Sequence, residues 1–194
     1  MAIEVKKAIL KSSFFLIPIL VYSFFEAVPL IKFLYGDDFQ VSGEVFKIYI
    51  LRYSLSVMAF SVFMGSIGLE KKSNFVILLS AVIGLGLNII LIPIYGVKGA
   101  SWATVISSLS TISVSFFFIK RRLNLNIINF FPITNYLIIV LVSIIVYTPF
   151  YILNKYFELK WFVVIFSVIY YLVTLILLNI KFKILNIKKI LINI

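Results

Sequence analysis

Three charged side chains lie within stretches of the chain that are otherwise almost entirely apolar: Glu26, Lys47 and Arg52. A guanidinium binds phosphate through two parallel hydrogen bonds, and an ammonium binds it as a point charge. Arg52, together with Lys47, is therefore the predicted site for an anionic head group. Glu26 is the predicted proton- or cation-linked partner that competes for Arg52. The alternative interpretation is a structural ion pair that fixes helix register, with Lys47 reaching to the surface.

Most other side-chain chemistry is missing from the sequence. The chain contains neither Cys nor His, which excludes disulfides, thiol catalysis, the usual zinc sites and Ser-His-Asp nucleophiles. Asp37 and Asp38 could bind a metal ion or act as a base, but a solvated turn after Gly36 explains them better. We predict no catalytic residue, no metal and no cofactor, and therefore a protein that is not an enzyme.

The composition is that of a membrane protein. Apolar residues make up 63% of the 194 positions, charged residues only 13%, and the mean hydropathy is +1.16. An average soluble domain has about 25% charged residues, so a water-soluble enzyme and a disordered chain are both excluded. The net charge of +11 could indicate nucleic-acid binding, but the basic residues are dispersed at the ends of apolar segments. No nucleic-acid partner is expected.

Six apolar segments position the charged residues. A membrane-spanning helix needs about 20 apolar residues, whereas a barrel strand needs about 9–11. After a short basic lead-in at 1–11, the segments are A (12–34), B (44–69), C (74–93), D (99–119), E (133–153) and F (161–180). The predicted fold is an all-α, polytopic bundle of six transmembrane helices.

The basic residues predict the orientation of the bundle, because Lys and Arg accumulate on the cytoplasmic side of short loops. Twelve lie before A, after B, after D and after F, and four lie at the opposite ends, with the remaining two inside B. This alternation predicts that both termini are cytoplasmic and that the protein is a multi-pass protein of the cytoplasmic membrane. Glu26 and Arg52 each lie eight residues below the outer end, about 12 Å deep. The side chains of Glu26 and Arg52 are expected either to face each other or to face one shared cavity.

Segment D is rich in small and hydroxyl-bearing residues. Its two stripes at i+4 spacing are Gly99, Ala103 and Ser107, and Ala100, Thr104 and Ser108; segment C carries a third stripe, Ser80, Gly84 and Asn88. Such stripes let helix backbones approach closely, so close packing of C against D is the favoured interpretation. The alternative is a hydroxyl-lined sugar path. In segment A, Pro18 and Pro29 are expected to permit bends.

Residues 88–104 (NIILIPIYGVKGASWAT) resemble the helix-turn-helix found late in polysaccharide flippases, a group that includes O-antigen and lipid II flippases and, more distantly, the multidrug and toxin extruders. In this motif Pro93 ends helix C, Gly96 permits the turn, and Gly99 and Ala100 open helix D without side-chain bulk. Residues 34–39 (LYGDDF) and the helix that follows resemble an outer turn of the same family. Asn88 and Thr104, at the two ends of the motif, are predicted to pack these helices or to line a cavity.

The resemblance implies a transporter that moves saccharides linked to lipid phosphate or diphosphate across the cytoplasmic membrane, for surface polysaccharide biosynthesis. Family members have two lobes and twelve to fourteen helices. Residues 1–122 look like the C-terminal part of that core, and residues 123–194 like an additional helix pair with a basic tail. The expected partners are therefore the lipid-linked saccharide, membrane lipids, and a missing N-terminal lobe or another chain. The alternatives are a multidrug or cation antiporter of the extruder family and a membrane-embedded glycosyl- or acyltransferase.

Overall fold

The structure, a computed structural model, describes residues 2–56, 60–123, 132–156 and 162–182. Within these ranges the regular structure is helical and contains no strand, which confirms the all-α prediction. The helices are α1 (Ala2–Phe25), α2 (Ala27–Tyr35), α3 (Gln40–Ser56), α4 (Phe60–Ser66), α5 (Glu70–Tyr95), α6 (Val97–Leu123), α7 (Ile133–Tyr156) and α8 (Phe162–Phe182), with a 3-10 turn at Asp37–Phe39.

Four helices in the described part of the chain are long and apolar enough to cross a membrane. They are Lys6–Phe25, Glu70–Tyr95, Val97–Leu123 and Ile133–Ile152, which correspond to segments A, C, D and E. The apolar part of α8, Phe166–Phe182, is shorter. The count of six and the orientation of the bundle stay predictions.

Segment B is described in two helical parts, α3 and α4, and residues 57–59 between them lie outside the described residues. Three charged residues lie within α3, namely Glu44, Lys47 and Arg52, and they make it less apolar than α1, α2 and α5. The predicted hinge at 120–132 also lies largely outside the described residues, although α6 continues to Leu123.

Segment A bends at Glu26, where α1 ends and α2 begins. The break lies three residues before Pro29, which has no N–H to donate and whose ring would collide with the carbonyl of Phe25. Pro18, in contrast, lies inside α1 without interrupting it. The predicted basic lead-in is not a separate element, because α1 already begins at Ala2.

The turn between α5 and α6 consists of Gly96 alone. Its φ of +58° is one that glycine adopts without strain, and its N–H donates to the carbonyl of Ile92 at 2.8 Å. A Cβ at Gly99 would overlap the carbonyl oxygen of Leu91, so the close approach of the two helices requires glycine there. Gly96 thus forms the turn, and Gly99 allows the two helix backbones to approach each other.

Pro93 does not end segment C as predicted. It lies inside α5, which continues to Tyr95. A proline in the last turn removes one backbone hydrogen bond but does not reverse the chain, and the reversal requires the left-handed backbone of Gly96.

The C and D stripes meet as expected. The Ser80 hydroxyl donates to the carbonyl of Ser107 at 3.0 Å, and a Cβ at Gly84 would lie 3.6 Å from the Cβ of Ser107. Helices α5 and α6 therefore pack closely along these small residues, and α3 lies across α6.

Three apolar clusters fix the remaining helices along α1. The first joins α1, α4, α5 and α6 through Ile9, Phe63, Met64, Leu69, Val76 and Ile119; the second joins α1, α7 and α8 through Phe14, Ile17, Ile139 and Leu178; the third joins the same helices through Tyr22, Val146, Tyr147 and Tyr170. In this order the clusters follow α1 from its start to its end. Helix α7 therefore runs parallel to α1, and α8 runs antiparallel to both.

Candidate functional site

Arg52 lies half-buried on α3 and faces α6. Its Nε donates a hydrogen bond to the Ser108 hydroxyl at 3.1 Å, and that hydroxyl donates to the Thr104 carbonyl at 2.8 Å. The guanidinium carbon lies 5.7 Å from the centroid of the Tyr53 ring. One edge of the guanidinium is thus held in place, while its terminal nitrogens make no hydrogen bond or ion pair with the described residues.

A cavity of about 330 Å³ lies beside this guanidinium, between α3, α5 and α6. Besides Arg52, it is lined by six hydroxyl-bearing side chains and three aliphatic ones, namely Ser56, Ser80, Thr104, Ser107, Ser108, Thr111, Leu55, Ile77 and Ile112. Among the lining residues Arg52 is the sole charged group. The cavity therefore carries one positive charge surrounded by hydroxyl oxygens, which suits a polar anion.

The cavity hydroxyls donate their protons to protein carbonyls. Thr104, Ser107 and Thr111 donate within α6 to the carbonyls of Ala100, Thr104 and Ser107, each at 3.0 Å. A hydroxyl whose proton is engaged still offers oxygen lone pairs. The cavity can therefore donate hydrogen bonds from Arg52 and accept them at its hydroxyls, and a sugar phosphate needs both.

Lys47 does not share this cavity. Its Nζ lies 4.7 Å from the centroid of the Phe24 ring on α1. Residues five apart on an α-helix point about 140° away from each other, so Lys47 and Arg52 lie on different faces of α3. The structure thus gives Lys47 a cation–π contact instead of the expected place beside Arg52.

Glu26 lies away from Arg52, in the third apolar cluster. The residue is 4% exposed, and its carboxylate accepts a hydrogen bond from the Tyr147 hydroxyl at 2.5 Å. The Phe25 ring stacks on the Tyr147 ring with centroids 4.7 Å apart. The Tyr22 and Tyr170 rings make T-shaped contacts with the Tyr147 ring, with centroids about 6 Å apart. The expected pair of Glu26 with Arg52 is not formed, because the two side chains point to different helices.

The remaining predicted site residues divide between packing and the cavity. Thr104 lines the cavity, and Ala100 contributes its carbonyl as an acceptor. The Oδ1 atom of Asn88 is buried and has no hydrogen-bond partner among the described residues. Gly96, Gly99 and Pro93 belong to the turn and to the last turn of α5, not to the cavity.

The acidic residues in and after the 3-10 turn at Asp37–Phe39 are exposed or paired with lysines. Asp37 is 88% exposed on its side chain and lies 3.8 Å from the ammonium of Lys32, while Glu44 pairs with Lys98. In the described part of the chain, no three candidate ligands lie close enough together to hold a metal ion.

No protein-family model matches the chain, and no curated protein matches it significantly. A solved structure does. The fold matches part of the lipid II flippase MurJ in its inward closed conformation, with a TM-score of 0.77 over 92% of this chain. The identity is 21%, which establishes the likeness as one of fold. This chain spans 38% of the length of the MurJ chain.

The MurJ likeness agrees with the fold expected from residues 88–104 and 34–39. The four apolar helices and this fold together support a multi-pass membrane protein. The hydrogen bond between Glu26 and Tyr147 was not predicted from the sequence, because the partners are 121 residues apart. The available signal was the presence of tyrosines in segments E and F, because a buried tyrosine hydroxyl usually finds a hydrogen-bond partner.

Proposed function

We propose that this chain forms part of a flippase that moves lipid-linked saccharides across the cytoplasmic membrane for surface polysaccharide biosynthesis. The observation that carries the proposal is the cavity in which Arg52 is the sole charged lining residue among six hydroxyl-bearing side chains. A fold shared with part of MurJ, whose name states that it flips lipid II, supports the same class of cargo.

The chemistry of the cavity fits the head group of such a lipid. The terminal nitrogens of Arg52 would bind a phosphate oxygen, and the hydroxyl oxygens on α5 and α6 would accept hydrogen bonds from a sugar. A volume of about 330 Å³ is at the small end of ligand pockets. It would hold the phosphate and part of the saccharide rather than a whole lipid.

A second wall would complete the cavity. Helix α5 buries little of its surface, and apolar side chains such as Ile77, Leu78 and Leu85 are more than half exposed. We propose that an N-terminal lobe, or another chain, covers part of this surface and that the cargo crosses between the two. The apolar face of α5 that stays uncovered would contact lipid.

A cation or drug antiporter is the second candidate, and Glu26 is the observation that favours it. A buried carboxylate surrounded by the rings of Tyr22, Tyr147 and Tyr170 offers negative charge and π faces, both of which attract organic cations. The Tyr147 hydroxyl already occupies one carboxylate oxygen, however, and Arg52 would repel a cation in the cavity. A flippase therefore explains more of the observed contacts of Arg52 and Glu26 than an antiporter does.

The test is surface polysaccharide in cells that depend on this chain. Arg52→Ala should lower lectin-detected surface polysaccharide at least tenfold, while Arg52→Lys keeps part of it, because an ammonium binds phosphate with only one point of contact. Membrane abundance is measured by immunoblot so that loss of protein is not mistaken for loss of transport. Lys47→Ala is the matched control, since it removes a cation of the same helix that lies outside the cavity.

Unchanged polysaccharide in Arg52→Ala cells would overturn the role of Arg52. A loss of resistance to organic cations in Glu26→Gln cells, with polysaccharide unchanged, would favour the antiporter.

A further inference from the structure

The two ends of the bundle differ in charge. The first apolar cluster brings the start of α1, the start of α5 and the end of α6 together through Ile9, Val76 and Ile119. Exposed basic residues of three helices therefore share one end of the molecule, here called the basic end: Lys11 of α1, Lys71 and Lys72 of α5, and Lys120, Arg121 and Arg122 of α6. Glu70 is the acidic residue among the described side chains of this end.

Two lysines at the opposite end, in contrast, are paired with acidic residues. Lys32 lies 3.8 Å from Asp37, and Lys98 pairs with Glu44. The six named cations of the basic end form no salt bridge with the described residues. Their positive charge is thus available to a partner outside the bundle.

The basic end also has an apolar layer directly below its cations. Phe75 lies one helical turn beyond Lys71 on α5, and Phe117 lies one turn before Arg121 on α6; both rings are more than half exposed. Lys72 is held over the Phe118 ring at 5.1 Å, across the contact between the two helices. Each helix therefore presents a cation with an exposed aromatic ring about 6 Å deeper.

We propose that the basic end binds the phosphate head groups of anionic phospholipids. The cations lie where helices long enough to cross a membrane leave it, and the exposed rings lie where acyl chains begin. A soluble anion would use the charges but not the rings, and a nucleic acid could stack on the rings only if they faced water, whereas they lie on helices long enough to cross a membrane. Each basic residue near an anionic membrane surface contributes about 1 kcal/mol, which is about a fivefold change in affinity.

The experiment uses the full chain in nanodiscs of phosphatidylcholine that contain a trace of spin-labelled lipid. The immobilised fraction of spin-labelled phosphatidylglycerol is compared with that of spin-labelled phosphatidylcholine. The wild type should prefer phosphatidylglycerol at 0.1 M salt, and the preference should fall at 1 M salt, where charges are screened within about 3 Å. The triple variant Lys71→Gln, Lys72→Gln and Arg121→Gln should lose the preference by at least fivefold.

A double variant of the opposite end, Lys32→Gln with Lys98→Gln, is the control and should keep the preference within twofold. A second variant, Lys120→Gln with Arg122→Gln, tests the same end on α6 alone, and circular dichroism checks the helical content of each variant. Equal binding of the two lipids by the wild type would overturn the proposal. So would an equal loss in the control, or displacement of the labelled lipid by millimolar glycerol phosphate.

Discussion

Arg52 and Glu26 are charged groups in neighbouring apolar segments of the sequence, and the structure surrounds them in opposite ways. Arg52 is half-buried, is held at one nitrogen by Ser108, and turns its other nitrogens toward a cavity. Glu26 is 4% exposed and is enclosed by rings, with the Tyr147 hydroxyl donating to it. One group is placed where a ligand can reach it, whereas the other is fixed inside the protein.

The difference follows from what surrounds each group. A buried charge is costly unless hydrogen bonds replace its water, and Glu26 receives such a bond from another helix. It also lies at the break between α1 and α2, so its bond to α7 connects that break to the helix pair of α7 and α8. Arg52 should thus govern ligand affinity, and Glu26 should govern stability and the position of the helix pair.

The largest expected effect is on ligand affinity. Arg52→Gln removes a charged donor to phosphate, and we expect about a 100-fold loss in affinity for a lipid-linked sugar phosphate, or about 2.7 kcal/mol. Native mass spectrometry with such a lipid measures the loss. Glu26→Gln should bind within twofold of the wild type. If both variants lose affinity equally, the proposed separation between the two groups does not hold.

The next effect is on stability. Tyr147→Phe leaves the buried carboxylate of Glu26 without this donor, and the expected loss is about 2 kcal/mol of unfolding free energy. Thermal unfolding in detergent measures it, with Tyr151→Phe as the control because Tyr151 is 57% exposed. A double-mutant cycle with Glu26→Gln should show coupling of the same order. Additive effects of the two changes would contradict the structural role of this bond.

Much of the helical framework could be predicted from the sequence, because apolar length and flanking charge suffice for it. Segments C, D and E match α5, α6 and α7 to within four residues at either end. A helix break in segment A could be predicted from Pro29, but the residue at which the break occurs could not.

The site was less predictable than the framework, and the reasons differ from residue to residue. Helical geometry alone separates Lys47 from Arg52 by about 140° and would have corrected that pairing. The partner of Glu26 could not be found, because it depends on how α7 packs against α1. Packing and cavity lining could not be told apart in the stripes of segment D, since Ser107 contacts α5 and also lines the cavity.

A smaller loss of ligand affinity is expected from changing Ser108, which holds the Arg52 guanidinium in place. Ser108→Ala removes the acceptor for its Nε, so the guanidinium loses its fixed orientation, and affinity for the lipid-linked sugar phosphate should fall about fivefold, or about 1 kcal/mol. Ser110→Ala is a matched control on α6, because Ser110 also donates to a carbonyl four residues earlier but does not line the cavity. Equal losses in both variants would indicate an effect on the helix rather than on Arg52.

The smallest expected effect is at Lys47, whose contact with Phe24 is a half-buried cation–π pair. Lys47→Gln should cost about 0.5–1 kcal/mol of stability and leave ligand affinity unchanged. Phe24→Leu should cost a similar amount, and the two changes together should cost little more than either alone, since both remove the same contact. A loss of ligand affinity in Lys47→Gln would instead place a second cation in the path of the head group, and Arg52 would then not act alone.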